Sequence, residues 1–387
     1  MALPVLTLDK TLETALRSGH PWLYRNHLPK VDLQSGEWVR LRAGGAEACG
    51  IYDAEGQIAV RLFGPEPLMP GDLAERVERA LELRAQTINS QTTTSETTCY
   101  RLLYGEGDFL PGITVDLYER FAVLRLYAGS LEGLVPSVVK ALSQKLKLRG
   151  IVRRGEGGLE ALWGKLPPPE LTVQENGLKL LANLYEGQKT GLFLDHRDNR
   201  QTVQRFSQGR RVLNLFSYTG AFSLYAARGG ARQVTSVDIA PAATADAQRN
   251  FALNGFDPEA HTFLSADVFS LLGEYAAQKK RFDLVILDPP SLAHNQKSRF
   301  AALRAYTKLN AQALRCTEPG GFLATASCTS QVSPEAFRTV LAEAAQAAGV
   351  RLQIVHEAGH AADHPVPANF PEGRYLKFVV ARVLSSA

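Results

Sequence analysis

The alternation of apolar and polar positions changes character twice along the chain. Over residues 1–72, short runs at 5–8, 38–41 and 58–63 alternate with period two and are broken by Gly and Pro, which predicts a small β-rich module. Residues 71–85 take up helical spacing, with Leu73, Val77, Ala80, Leu81 and Leu83 recurring among charges. The nearly all-polar run 86–98 has too little apolar surface to pack and predicts an exposed loop. Beyond it, strand-like 100–103, a Gly/Asp turn at 105–112, alternating runs at 113–117 and 121–127, a helix over 131–147 and a strand near 150–153 predict an α+β module.

After Pro167-Pro-Pro169 the pattern becomes one of strands alternating with helices. Strands are predicted at 212–216, 233–238, 262–264, 282–287 and 321–326, with a late pair near 352–357 and 375–383. Helices are predicted near 220–228, 240–253, 267–278, 299–316 and 334–348. Such alternation implies a parallel sheet covered by helices on both faces, an α/β domain. Three domains follow, at 1–72, 73–184 and 185–387, and the chain has no internal repeat.

Composition narrows this only modestly. The 387 residues carry 43 Lys+Arg against 39 Asp+Glu, a balance of +4, with 45% hydrophobic residues. No apolar run reaches the ~18–20 residues that span a bilayer, so a cytoplasmic protein without a membrane partner is expected. Cys49, Cys99, Cys316 and Cys328 are scattered and form no CxxC pair, which argues against a disulfide framework and against a metal site. The small net charge conceals basic regions at 16–42, at 140–154 and at 279–281, the last with Lys297 and Arg299 beyond Asp288. Residues 16–42 hold five Lys/Arg against two acids and include Arg17, His20 and Trp22, which read either as a strip for phosphate and base contact or as a loop with a packed Trp.

The chemistry concentrates in the last half. A buried strand runs into Phe216-Ser-Tyr-Thr-Gly220 and then a helix, whose N-terminus faces the crevice where doubly wound sheets bind ligands. Gly220 is read as letting a ligand approach the backbone. Asp238 ends the next strand, followed by Ile239, and its carboxylate can accept from two ribose hydroxyls. This nucleoside-binding layout lacks the G-x-G-x-x-G loop that makes room for a pyrophosphate, which favours S-adenosylmethionine over NAD. Asp267, after the third strand, is suited to the adenine amino group or to capping a helix. Asp288-Pro-Pro290 ends the fourth strand in a rigid extended loop, a wall suited to a flipped base. Cys328 lies just beyond the fifth strand in a polar Ser-Cys-Thr-Ser loop on the same edge, which suits a nucleophile better than a core position. Carbon 5 of a pyrimidine takes a methyl group only after a thiolate has attacked carbon 6, and an acid near N3 assists that attack.

Seven ordered blocks then carry a family resemblance. They are His20-Pro-Trp22, residues 104–116, residues 186–197, residues 216–222, Asp288-Pro-Pro290, Ser327-Cys328 and residues 361–365. Over essentially its whole length the chain resembles the RlmI-like 23S ribosomal RNA methyltransferases, which make 5-methylcytosine with S-adenosylmethionine. The resemblance implies an N-terminal PUA domain, a central α+β domain and a C-terminal Rossmann-like class I methyltransferase domain. It implies Cys328 as nucleophile, Asp288 at the target base, and Phe216, Ser217, Tyr218, Thr219, Gly220, Asp238, Ile239, Asp267, Asp288 and Pro289 around the cofactor. Arg17, His20, Trp22, Lys189 and Arg197 are candidates for RNA contact, and Asp363 and His364 for a role in proton removal. The expected partner is 23S rRNA or a large-subunit precursor, and a homodimer is left open. Two readings compete: rRNA methylation at an exocyclic guanine or adenine amine, which has no use for Cys328, and an RNA-binding assembly protein without catalysis.

Overall fold

The computed structural model describes residues 3–88, 96–155, 157–292 and 299–385. The chain forms two compact units, one made of 1–177, 182–194 and 362–373, the other of 178–181, 195–361 and 374–387. The expected start of the last domain at 185 therefore falls inside a segment of the first unit, and 362–373 returns to that unit as well. Part of the polar run 86–98 and Lys297 lie outside the described residues.

The first unit contains two five-stranded sheets. One consists of Val5–Thr7, Trp38–Ala43, Ala46–Tyr52, Ile58–Gly64 and Trp22–Tyr24 in that spatial order, closed over a core that includes Leu16, Leu23, Val39, Leu41 and Val60. The other orders Gly158–Gly164, Gly150–Gly155, Phe121–Leu126, Ile113–Tyr118 and Cys99–Tyr104. Its parallel pair Phe121–Leu126 and Gly150–Gly155 is joined through the helix Val135–Lys145. That helix and Pro70–Thr87 bury Leu73, Val77, Val138 and Leu142 on the sheet. The predicted helix over 131–147 begins instead as a 3-10 turn, Gly129–Leu134, and becomes α-helical where Pro136 fits the first turn.

The second unit is built on one seven-stranded sheet. Its elements in chain order are helix α1 (Arg197–Arg205), β1 (Arg211–Leu215), α2 (Ala221–Arg228), β2 (Gln233–Asp238), α3 (Pro241–Leu253), β3 (Thr262–Ser265), α4 (Val268–Ala277) and β4 (Phe282–Leu287). There follow α5 (Arg299–Arg315), β5 (Thr317–Cys328), α6 (Pro334–Ala348), β6 (Val350–Ala358) and β7 (Leu376–Ser385). The strand order is β3-β2-β1-β4-β5-β7-β6. Strands β1 to β5 are parallel, whereas β7 enters antiparallel between β5 and β6. Strands β1 and β4 are mostly apolar because both faces are covered, interrupted by Asn214 in β1 and Asp283 in β4. On one face Leu213, Leu215, Val285 and Leu287 meet Leu272 and Tyr275 of α4 and Leu309 and Leu314 of α5. Strand order reverses between β1 and β4, so a crevice opens past their carboxyl ends. No helix among the described residues is long and apolar enough to cross a membrane.

Candidate active site

All the candidates from Phe216 to Cys328 lie in the second unit, at the carboxyl ends of β1 to β5. The loop after β1 is tightly wound: Phe216, Tyr218 and Gly220 have φ of 58°, 47° and 77°. Non-glycine residues adopt such values at a cost, and clusters of them mark sites held for a purpose. Two bonds hold this loop, from Ser217 N to Val237 O (2.9 Å) and from Tyr218 N to Asp238 Oδ2 (2.8 Å). Asn250 of α3 adds a third by donating to Thr219 O (2.9 Å). Within this frame the hydroxyls of Ser217 and Thr219 are buried without a hydrogen-bond partner among the described residues. Buried hydroxyls are nearly always paired, so these two suit a polar ligand seated on the loop.

Gly220 has a reason of its own within the fold besides the one read in the sequence. A Cβ there would stand 2.7 Å from Ala247 Cβ, so its smallness admits helix α3, and its positive φ needs glycine independently.

Asp238 accepts from Tyr218 N and, through Oδ1, from Ala240 N (3.0 Å), and it remains partly exposed. Each carboxylate oxygen keeps a lone pair for a ribose hydroxyl. Ile239 beside it is 71% exposed, Phe269 is 41% exposed, and Phe269 meets Phe216 edge to face at 6.1 Å. These apolar groups suit a nucleobase. Asp267 takes the capping role: Oδ1 accepts from Ser270 N (2.9 Å) and Ser270 Oγ (2.8 Å), and the backbone bond chiefly holds its pKa below the ordinary value.

On the other side of the crevice, Cys328 Sγ lies 3.8 Å from Asp288 Oδ1 and 3.6 Å from His196 Nε2, and Asp288 Oδ2 lies 3.3 Å from His196 Nε2. Cys328 is the last residue of β5 and is partly exposed, whereas Cys49, Cys99 and Cys316 are buried. Pro289 is buried and Pro290 exposed, which fixes the turn that presents Asp288. His196, which the sequence reading passed over, has a fully buried side chain just ahead of α1, edge-on to Phe222 at 5.3 Å. Lys377 is a second unforeseen neighbour. It is 4% exposed on β7, and its ammonium donates to Thr329 O and to Tyr375 O (2.8 Å). Burial pushes its pKa down to about 8, and the adjacent Cys328 pulls it partway back.

The RNA-contact candidates are scattered. Arg197 is 3% exposed and pairs with Asp198 at 3.2 Å, so it is an interior group and not an open contact surface. The other four belong to the first unit. Trp22 is packed, as the plainer reading had it: Nε1 donates to Glu106 Oε1 (2.8 Å) and the ring meets Phe370 edge-on at 4.6 Å. His20 Nδ1 accepts from Trp22 N (3.2 Å) while Nε2 faces Glu372 at 3.5 Å. Lys189 lies over the Phe193 ring at 4.5 Å. Arg17 alone among these projects well into solvent, paired with Glu13 at 2.6 Å. The basic run 140–154 is partly neutralised, since Arg153 pairs with Glu132 and Glu160 and Lys145 with Glu78. Asp363 and His364 also sit in the first unit, where Asp363 accepts from Arg101 N (2.8 Å) and pairs with His364 Nδ1 (3.0 Å).

Comparison with known proteins agrees with this layout. The model of the S-adenosylmethionine-dependent methyltransferase family matches residues 117–368, and that of the PUA-like domain matches 6–64. A ribosomal RNA large subunit methyltransferase I from Vibrio cholerae is 37% identical over 399 residues, covering 98% of this chain and 100% of its own length. One from Pseudoalteromonas translucida is 36% identical, covering 96% and 97%. A Streptococcus mutans structure, assigned as a SAM-dependent methyltransferase, shares the fold with a TM-score of 0.87 at 24% identity, over 98% of this chain and 100% of that one. The strand order, the wound loop after β1 and the near full-length similarity lead to one assignment: this chain belongs to the S-adenosylmethionine-dependent methyltransferases, within the ribosomal RNA large subunit methyltransferase I family.

Proposed function

We propose that the protein forms 5-methylcytosine in large-subunit ribosomal RNA through a covalent adduct at Cys328. The observation that carries this reading is the convergence of Cys328 Sγ, Asp288 Oδ1 and His196 Nε2 within 3.8 Å of the sulfur, on the sheet edge that also holds the loop after β1. The relatives' names supply the large-subunit ribosomal RNA. A methyltransferase acting on an exocyclic amine needs no thiol, whereas carbon 5 of a cytosine does.

S-adenosylmethionine, when bound, supplies the electrophilic methyl group. Ser217 and Thr219 offer it unpaired hydroxyls, Asp238 its free lone pairs to the ribose, and Ile239 with Phe269 an apolar seat for the adenine, while Asp267 stands at that edge. The Asp288-Pro289-Pro290 turn holds the flipped base. Cys328 sulfur bonds to carbon 6, the C5–C6 double bond shifts to C4–C5, and N3 takes a proton from the Asp288 side. Carbon 5, now enamine-like, accepts the methyl group. The carbon 5 proton passes to solvent water and its bonding pair re-forms the C5–C6 double bond as the C6–S bond breaks, returning the thiolate and the aromatic ring. Lys377 keeps a positive charge beside the sulfur at neutral pH.

Residues 1–72 act in this reading as an RNA-binding module, with Arg17 at its surface, and 73–184 and 185–387 as the central and catalytic domains. The protein works in the cytoplasm on free 23S rRNA or a precursor subunit. The test is a Cys328→Ala protein assayed with unmodified ribosomal RNA and labelled S-adenosylmethionine, followed by nucleoside mass spectrometry. Wild-type protein is expected to yield 5-methylcytosine and the variant none. An N-methylated purine, or an unimpaired variant, would overturn the proposal.

A further inference from the structure

The imidazole of His196 stands between the two groups the reaction uses, and its surroundings determine which nitrogen carries the hydrogen. Its Nδ1 lies 3.1 Å from Asn199 Nδ2, and the same amide nitrogen lies 3.1 Å from Gly359 O. A main-chain carbonyl only accepts, so the Asn199 group facing Gly359 is the NH2; the flipped amide would set two oxygens against each other. One of its hydrogens serves Gly359 O and the other points to His196 Nδ1. That nitrogen is then the acceptor, and the ring hydrogen sits on Nε2, which faces Asp288 Oδ2 at 3.3 Å and Cys328 Sγ at 3.6 Å. Asn199 is 2% exposed and His196 fully buried, so water does not compete for these bonds.

We infer that Asn199 is a positioning residue that locks His196 in the Nε2–H tautomer, making it a hydrogen-bond donor to Cys328 and Asp288, so that Asp288 and not His196 receives the thiol proton. This departs from a Cys–His pair, in which Nε2 would carry the lone pair that deprotonates sulfur. The path of the thiol proton closes within the site. Cys328 S–H gives its proton to Asp288 Oδ1, 3.8 Å away, as sulfur bonds to carbon 6, and Asp288 passes that proton to N3 as the ring electrons arrive there. On release, N3 returns the proton to Asp288 while the departing thiolate takes back the C6–S electron pair. Throughout, the Nε2–H bond steadies whichever of the two acceptors holds the negative charge. The same tautomer leaves Nε2 without a lone pair for a metal ion, although the His196, Asp288 and Cys328 donor atoms lie within 4.8 Å of one another.

The roles of Cys328 and Asp288 rest on the proposed covalent chemistry; the tautomer does not, and the test separates the two. Full-length protein labelled with 15N-histidine is examined by two-bond proton–nitrogen correlation, with the His196 signals identified by their loss in His196→Gln. The hydrogen is expected on Nε2 in the wild type, and Asn199→Asp, whose carboxylate accepts from Nδ1–H, is expected to move it to Nδ1 or protonate both nitrogens. In parallel, iodoacetamide labelling of Cys328 is followed by peptide mass spectrometry from pH 5 to 9, without RNA or cofactor. Asp288→Asn removes the negative charge that accepts the S–H and disfavours the thiolate, so labelling at pH 7 is expected to rise about tenfold, as a tenfold larger thiolate fraction gives. Asn199→Asp is expected to raise labelling below pH 7, where an imidazolium–thiolate pair replaces the wild-type arrangement. A wild-type hydrogen on Nδ1, or an Asp288→Asn protein with an unchanged labelling profile, would overturn the inference even if Cys328→Ala abolishes methylation.

Discussion

Replacing Lys377 by Met gives a sharp test of how the site is built, because the energetics can be worked from its surroundings. The ammonium is 4% exposed, and its pKa is lowered from 10.5 to about 8. A lowering of that size corresponds to about 3 kcal/mol of native-state penalty for the charged form, felt in full below pH 8. The sign follows from proton counts. Between pH 8 and 10.5 the unfolded chain holds this proton and the folded chain does not, so stability from this group rises with pH in that window. Between pH 7 and 9.5 the gain is about 2 kcal/mol. Met fills a similar volume and removes this dependence, but strips Thr329 O and Tyr375 O of a donor, at about 1–3 kcal/mol each. At pH 7 the two effects nearly offset. Urea denaturation followed by circular dichroism at pH 7, 8, 9 and 9.5 isolates the term as a difference between two proteins sharing all other titrating groups. Wild type is expected to gain about 2 kcal/mol on Lys377→Met across that range. A flat difference would refute the argument that a charged, buried amine adjoins Cys328.

Three further outcomes follow from the same geometry. Gly220→Ala puts a Cβ 2.7 Å from Ala247 Cβ at a φ of 77°, and is expected to cost about 2–4 kcal/mol in thermal or urea unfolding. Ser217→Ala combined with Thr219→Val removes two hydroxyls that lack partners among the described residues, so calorimetry should show S-adenosylmethionine binding weakened by about tenfold per hydroxyl with unfolding stability unchanged. Trp22→Phe deletes the bond to Glu106 and is expected to destabilise the protein by about 1–3 kcal/mol while leaving the rate of methylation per folded molecule intact, since the indole is spent on Glu106 and Phe370. A loss of RNA affinity in that variant at full folding would restore Trp22 as a contact residue.

What could be read in the sequence was what local pattern encodes. Strands β1 and β4 stood out because covering both faces makes most positions apolar, and Asp238, Asp288 and Cys328 stood out because each falls at the carboxyl end of a strand of this sheet. Helix α1 did not, since its buried positions include Arg197, Asn199 and Arg200, which give no apolar period to detect. His196 was hidden with it. Lys377 was hidden for a related reason: one Lys in the run 376–383 looks like a solvent-facing position, yet it points inward. Whether Trp22 packed or stayed open depended on Glu106, 84 residues away, and on Phe370, farther still.

Burial of a polar side chain does not by itself distinguish scaffold from chemistry. Arg84 is 1% exposed, and its guanidinium is matched by Asp108 at 2.6 and 2.7 Å, by Arg101 O at 2.9 Å and by Asp363 O at 2.9 Å, so its donors are committed to holding the first unit together. His196 is equally buried, but one of its nitrogens is fixed by Asn199 and the other faces a sulfur and a carboxylate that can each gain or lose a proton. The first arrangement has one protonation state and nothing to exchange. The second passes a proton between a sulfur and a carboxylate oxygen 3.8 Å apart, while the scaffold around Asn199 keeps the imidazole hydrogen on Nε2 facing both. That choice, made by a main-chain carbonyl 160 residues from the amide it orients, is the part of the site that no local motif encodes.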